Sequence, residues 1–338
     1  MDNDLPMEDN QASQEQLTQA FAPDEQAKKA SPGPKTLFFV ILVILVAGIS
    51  AGAVALILAN HETPIVQEEE SISDEILFTD ETFPRIDASL AAQPLMDAFT
   101  KNFTGKTTAE LGIVYTNTDP AYTKLINNET DLIIASEPSA EELARAEESN
   151  VKLEVTKVVN EGFVFFVNKD NPVEKITFEQ LRKIYTGEIT NWKELGGNDA
   201  EIIAYQRPVN SGSQTALISL VMNGEKIKVP TPMESVELDM SGIVDYIADY
   251  QNGIDAIGFG FYYYANVMYK NDNLKYLAID GVAPTYNTIQ DGSYPILSAG
   301  YIVTRADETA ENVLQLKDAM LSKRGQLVAS EAGYVPAK

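Results

Sequence analysis

The chain has 338 residues, enough for two ordinary domains or one domain with appendages, and a formal net charge of -25. It holds no cysteine, which excludes disulfides, thiolate metal sites and a cysteine nucleophile, and a single histidine, His61, which excludes a histidine-rich metal site. The acidic excess argues against nucleic acid and anionic membrane surfaces as partners, because a phosphate backbone would be repelled over most of the surface.

In chain order, residues 1–35 are rich in Asp, Glu, Gln, Ala and Pro and carry few large apolar groups, so they read as a disordered tail. Residues 36–59, "TLFFVILVILVAGISAGAVALILA", lack any charge and are long enough to span a bilayer with some tilt. The polar tail ahead of this segment is unlike a signal peptide, and an uncleaved anchor is expected. Lys28, Lys29 and Lys35 precede the span, and Glu62 and Glu68 to Glu70 follow it. Positive charge marks the cytoplasmic side, so the chain is expected in the cell membrane as a single-pass protein. Its N-terminus would lie in the cytoplasm and residues 60–338 outside. Residues 60–81 read as a linker.

From residue 82, short apolar runs alternate with amphipathic stretches, the pattern of an α/β fold. Strands are predicted at 111–116, 131–136, 152–159, 162–168, 201–206, 256–264, 274–279 and 300–305. Helices are predicted over "LAAQPLMDAFTKNF", "DPAYTKLIN", "SAEELARAEES", "TFEQLRKIYTG" and, closing the chain, "TAENVLQLKDAML". Trp192, the sole tryptophan, is read as a packing residue. Glu141 and Glu142 are read as a solvated helix face, since no nucleophile converges on them.

One stretch carries chemistry. In "EIIAYQRPVNSGSQTA" a strand leads to Arg207 and then to Ser211, Gly212 and Ser213 at a helix start. A planar guanidinium, two hydroxyls and free backbone N–H groups at a helix start suit an oxyanion, and glycine permits close approach. The same residues could also form a plain helix cap beside a surface arginine.

The ordered set "IYTGEITNW", the Gly-Gly turn and Arg-x-x-x-Ser-Gly-Ser resembles the phosphate-binding proteins of bacterial ABC importers, a branch of the two-lobed periplasmic binding proteins. "FPRIDAS", "DLIIASEPS", "FVNKDNPV" and "DAIGFGFYYY" extend the resemblance over residues 82–338. It implies a type II fold with a ligand cleft between two α/β lobes. Residues 82–165 and 266–338 would form the first lobe, and 166–265 the second. It implies inorganic phosphate or a similar oxyanion as ligand and an ABC permease as partner; no cofactor and no metal are expected, and an enzyme such as a phosphatase is the third reading, because the sequence shows no metal-ligand cluster or activated nucleophile.

Carried over by position, Arg207, Ser211, Gly212 and Ser213 match the family's ligand loop. Glu137 in "ASEPS" stands where the family places a carboxylate that accepts the proton of hydrogen phosphate, a proton that sulfate lacks. A surface glutamate is the other reading of Glu137. Thr118 matches a ligand-facing hydroxyl, and an N-cap role is the alternative. "RIDASLAAQP" departs from the family: Ala88 replaces a glycine and Leu90 a threonine, leaving Ser89 as the hydroxyl at the first helix start. That departure, with the acidic tail, leaves open a sensor or interaction module of the same fold with weakened or lost ligand binding.

Overall fold

The computed structural model describes residues 75–235, 240–249 and 253–337. The expected tail, the span at 36–59 and most of the linker lie outside the described residues. Among those described, no helix is long and apolar enough to cross a membrane.

The first strand, β1 (Ile86–Ala88), leads through a 3-10 turn into α1 (Gln93–Thr104). Pro94 in the first turn of α1 gives up no hydrogen bond, and Gly105 ends it in the left-handed conformation (φ 72°) that a side chain disfavours. The helix buries Leu95, Met96, Phe99 and Phe103 along one face. Next come α2 (Thr118–Ile126), β2 (Leu132–Ala135) and α3 (Ala140–Glu148). Strand β3 (Leu153–Asn168) follows, then the short β4 (Lys175–Ile176) and α4 (Phe178–Thr186). The start of α4 is set by a capping box in which Thr177 and Gln180 exchange side-chain-to-backbone bonds of 3.0 and 2.8 Å.

Strand β5 (Ile203–Ala204) precedes α5 (Gly212–Ala216), whose axis continues as a π-helical segment over Leu217–Met222. Then come α6 (Met240–Ala248), β6 (Ala256–Phe261), β7 (Leu274–Tyr276), β8 (Ala278–Ile279) and α7 (Tyr286–Gln290). The chain closes with β9 (Leu297–Arg305), α8 (Glu311–Leu321), α9 (Lys323–Glu331) and β10 (Val335–Pro336).

The predicted strands at 152–159 and 162–168 are one strand, β3. Its first part pairs antiparallel with β9 from Leu153 to Gly162, and its last part pairs antiparallel with β6 from Phe163 to Val167. The strands β1-β2-β9-β3-β6-β5 follow one another across a mixed sheet, with β7 and β10 also paired to β3. The sequence 111–116 forms a turn and irregular chain, not the predicted strand. Gly112 takes φ 68°, and the Thr116 amide donates to the Asp87 carboxylate at 2.8 Å where a ladder would need a carbonyl. Strand β6 likewise ends at Phe261 and not at 264, because the Tyr263 amide turns to the Glu161 carboxylate at 3.2 Å. Beyond the helix expected to close the chain, α9 and β10 pack back onto the first lobe.

Two main cores flank the crossing of β3. One gathers Leu95, Phe99, Phe103, Leu132, Ile134, Leu316 and Met320; Ile133 and Ala135, alternating along β2, face a smaller cluster with Tyr122 and Leu125. The other gathers Phe163, Phe165, Tyr185, Trp192 and Phe259, and also Leu277, Ile279, Ile289, Tyr294 and Ile296. The second lobe therefore reaches from about 163 to 296, taking in 266–296, which were expected in the first. Strand β7 pairs with β3, and β8 pairs with β4, so both belong to the second lobe's sheets.

Trp192 is fully buried in this second core, and its indole N–H donates to the Asp255 carbonyl at 2.8 Å. Phe165 is buried in the same core, 6.0 Å from the Tyr185 ring and 6.0 Å from the Phe259 ring, centre to centre. Phe165→Ala leaves a cavity that so packed a surrounding cannot refill, and we expect a loss of about 3–5 kcal/mol in urea unfolding followed by Trp192 fluorescence.

Candidate functional site: the interlobe cavity

Three chain segments end at the gap between the lobes. Strand β1 delivers Ser89, Leu90 and Ala91; the irregular 113–117 run delivers Asn117, Thr118 and Asp119; the loop after β5 delivers Arg207 to Ser213. Together with Pro120, Phe261 and Tyr264 they line a cavity of about 240 Å³.

Asp87 fixes the first two segments. It has no solvent exposure, and its carboxylate accepts from the Ala88 amide (2.8 Å), the Thr116 amide (2.8 Å), the Thr116 hydroxyl (2.6 Å) and Lys124 (2.9 Å). This clamp holds Asn117, the next residue, at φ 76°, ψ 178°, a conformation otherwise almost confined to glycine and costing about 1–3 kcal/mol. Asn117 was not singled out from the sequence. The only signal it offered was a residue able to enter positive φ beside the Thr-Asp-Pro helix start.

In the second lobe, the Ser211 hydroxyl caps α5 by accepting from the Gln214 amide at 3.2 Å. The Gln214 side chain accepts from the Arg207 amide at 2.8 Å, tying the loop to the helix it precedes. Ser213 is 2% exposed, and its hydroxyl, with no hydrogen-bond partner, is at the cavity. A Cβ on Gly212 would lie 2.4 Å from Ser136 Oγ and 3.2 Å from Thr118 Oγ1, both in the first lobe. Glycine here lets the two lobes touch.

Of the eight residues proposed from the sequence, Ser89, Leu90, Thr118, Arg207, Ser211, Gly212 and Ser213 line this one cavity. Glu137 does not line it. Its carboxylate accepts from the Ser219 hydroxyl on the π-helical segment of the second lobe. The carboxylate that does line the cavity is Asp119, held at 2.6 Å by Arg145. Thr118 is not the cap of α2; that position is Asn117, whose side chain makes no capping bond. Leu90 and Ala91 make the first lobe's wall apolar, as their side chains dictate.

The profile of the PBP superfamily domain matches residues 79–321. The phosphate-binding protein PstS of Staphylococcus saprophyticus is 30% identical over 224 residues, which are 64% of this chain and 68% of that protein. The chain belongs to the PBP superfamily, among its PstS phosphate-binding proteins. PstS of Bacillus subtilis is 31% identical over 179 residues, covering 52% of this chain and 55% of that protein's length. A solved structure, a putative phosphate ABC transporter substrate-binding protein from Clostridium perfringens with bound phosphate, is 26% identical with a TM-score of 0.59. The match covers 75% of this chain and 98% of that one. An ABC-type phosphate transport receptor from Vibrio cholerae shares the fold at 24% identity, with a TM-score of 0.56, over 77% of this chain and 99% of that one.

Sharing Ser89, Ala91 and Phe261 with the interlobe cavity, a second of about 30 Å³ is lined also by Ser136, Gly300 and Glu161, among others. Glu161 sits where β3 changes partner from β9 to β6, and accepts from the amides of Gly162 (2.9 Å) and Tyr263 (3.2 Å). Burial outweighs those bonds and pushes its carboxyl up to about 7. Glu142, expected on a solvated helix face, is instead fully buried in the capping box of α3, and burial likewise raises it to about 7. A carboxyl raised on folding binds its proton more tightly in the native state. Its contribution to stability is full below the unfolded value near 4.5 and is lost as pH rises through 7. We expect the urea midpoint to fall between pH 5 and pH 8. In Glu161→Gln the part of that slope due to this residue should vanish.

Proposed function

We propose that this protein captures inorganic phosphate in the interlobe cavity, outside the cytoplasm, and presents it to the membrane subunits of an ABC importer. The observation that carries the reading is the convergence of Arg207, the Ser211–Ser213 helix start, Thr118 and Ser89 on one cavity, with the buried Ser213 hydroxyl unpartnered there. These are donors from both lobes, as a tetrahedral oxyanion needs. The names of the relatives and the bound phosphate of the Clostridium protein support the same ligand. The protein acts as a carrier and not as an enzyme. The apolar segment at 36–59 would hold it at the membrane, with its N-terminus inside.

The net charge of -25 does not oppose this. Remote carboxylates are screened over a Debye length of about 8 Å at physiological salt, whereas a desolvated cavity is governed by the groups lining it. The lining carries one cation, Arg207, and one carboxylate, Asp119. The acidic surface slows capture more than it weakens binding.

Arg207→Ala should weaken phosphate binding by about 2–5 kcal/mol, roughly thirtyfold to several thousandfold, with the fold retained. Calorimetric titration measures this directly, and an unchanged dissociation constant removes Arg207 from the site.

Hydrogen phosphate has a proton to donate and sulfate does not, so an acceptor carboxylate separates them. Asp119, on the lining, is proposed for that part in place of Glu137. Asp119→Asn should then lower the phosphate-to-sulfate preference about tenfold or more in competition binding, while Glu137→Gln leaves it unchanged. The reverse pattern would return the acceptor role to Glu137.

A further inference from the structure

Two hydrogen bonds join the lobes along one edge of the cavity, and ligand contact explains neither. The Ser219 hydroxyl of the second lobe donates to Glu137 Oε1 of the first. Asn210 Nδ2 of the second lobe donates to Glu141 Oε2 of the first at 2.7 Å. Between them lies Gly212, where a methyl group would collide with Ser136 of the opposite lobe. We propose that Glu137–Ser219 and Glu141–Asn210 form an interlobe latch that holds the cleft shut and sets how fast its ligand leaves. The effect on release rests on the cavity being the ligand site, but the latch itself does not.

Both carboxylates stand on a rigid mount. Tyr122, fully buried, donates its hydroxyl to the Ser136 carbonyl at 2.7 Å and so pins the residue before Glu137. Ser139 and Glu142 then exchange capping bonds of 3.1 and 2.7 Å, which fix the first turn of α3, the turn that carries Glu141. On the facing lobe, Asn210 takes φ 66°, a left-handed backbone that asparagine tolerates better than most residues. Ser219 sits on the π-helical segment.

The chemistry suits a reversible catch. Each bond pairs a carboxylate with a neutral donor, so opening separates no ion pair, and water replaces the donor at once. Glu141 and Ser219 are exposed. On the scale of exposed hydrogen bonds, each contributes about three- to tenfold to the closed-to-open ratio, and the two together about ten- to a hundredfold. A latch of that strength shifts an equilibrium without locking it.

The chain has no cysteine, so labels can be placed cleanly. Glu148→Cys on the first lobe and Lys226→Cys on the second, spin-labelled in the full chain, report interlobe distance by pulsed electron resonance. Without ligand, the parent should show a short-distance population that Ser219→Ala/Glu141→Ala reduces about tenfold or more. Ser219→Thr/Glu141→Gln, which keeps a hydroxyl donor and an acceptor oxygen, should restore it. Stopped-flow release of inorganic phosphate should quicken by a similar factor in the alanine pair alone, with the thermal midpoint unchanged. A parent lacking the short population, or an alanine pair with the parent's distances, overturns the latch. If the parent fails to bind inorganic phosphate, the proposed function falls, and the ligand-free distances still decide the latch.

Discussion

The continuity of β3 is the constraint on which the rest depends. Sixteen residues run as one strand through both lobes, pairing with β9 in the first and β6 in the second. From Val158 onward nearly every side chain is buried on both faces, so the strand can be neither broken nor slipped without moving one core past the other. The change of partner falls at Glu161–Gly162. A Cβ on Gly162 would lie 2.6 Å from Ile289 Cδ1, and the Glu161 carboxylate accepts from the amide of Tyr263, just after β6. The change of partner in β3 is thus tied to the chain that follows β6 at one buried acid, which also lines the smaller cavity.

Around that tie, polar groups are spent where the backbone cannot satisfy itself. Asp87 replaces a missing strand partner for Thr116 and so orders the run that carries Asn117, Thr118 and Asp119 to the cavity. Gln214 does the same for the loop of Arg207. These buried carboxylates and amides keep the walls in place without contributing charge to the opening, so that a strongly acidic protein lines this cavity with one positive and one negative side chain.

Much of the fold was legible in the sequence because it follows from local periodicity. The helices α1, α3 and α4 carry their own caps in Gly105, Ser139, Thr177 and Gly187, and the buried strands announce themselves as runs of Val, Ile and Phe. The stretch at 111–116 looked like such a run. It is irregular because Asp87, distant in sequence, takes its amide, and no local pattern records a partner at that separation. The lobe boundary near 266 was misplaced for the same reason, since β7 and β8 are assigned to a lobe by pairing and not by composition.

By itself the sequence determined residue types suited to an oxyanion and their spacing: Arg207, a turn, then Ser211, Gly212 and Ser213 at a helix start. A strand followed by a helix brings those groups to one point through bonds that are all local. What only the tertiary structure decided is what faces that loop. Glu137 and Asp119 are both acids near helix starts, and nothing within a few residues of either says which one turns into the cavity. That is settled by contacts across the gap, where Gly212 rests against Ser136 and Thr118, Asp119 lines the cavity, and Glu137 meets Ser219. The direction of a side chain at an interlobe edge is set by the opposite lobe, whose approach is a property of the folded chain as a whole.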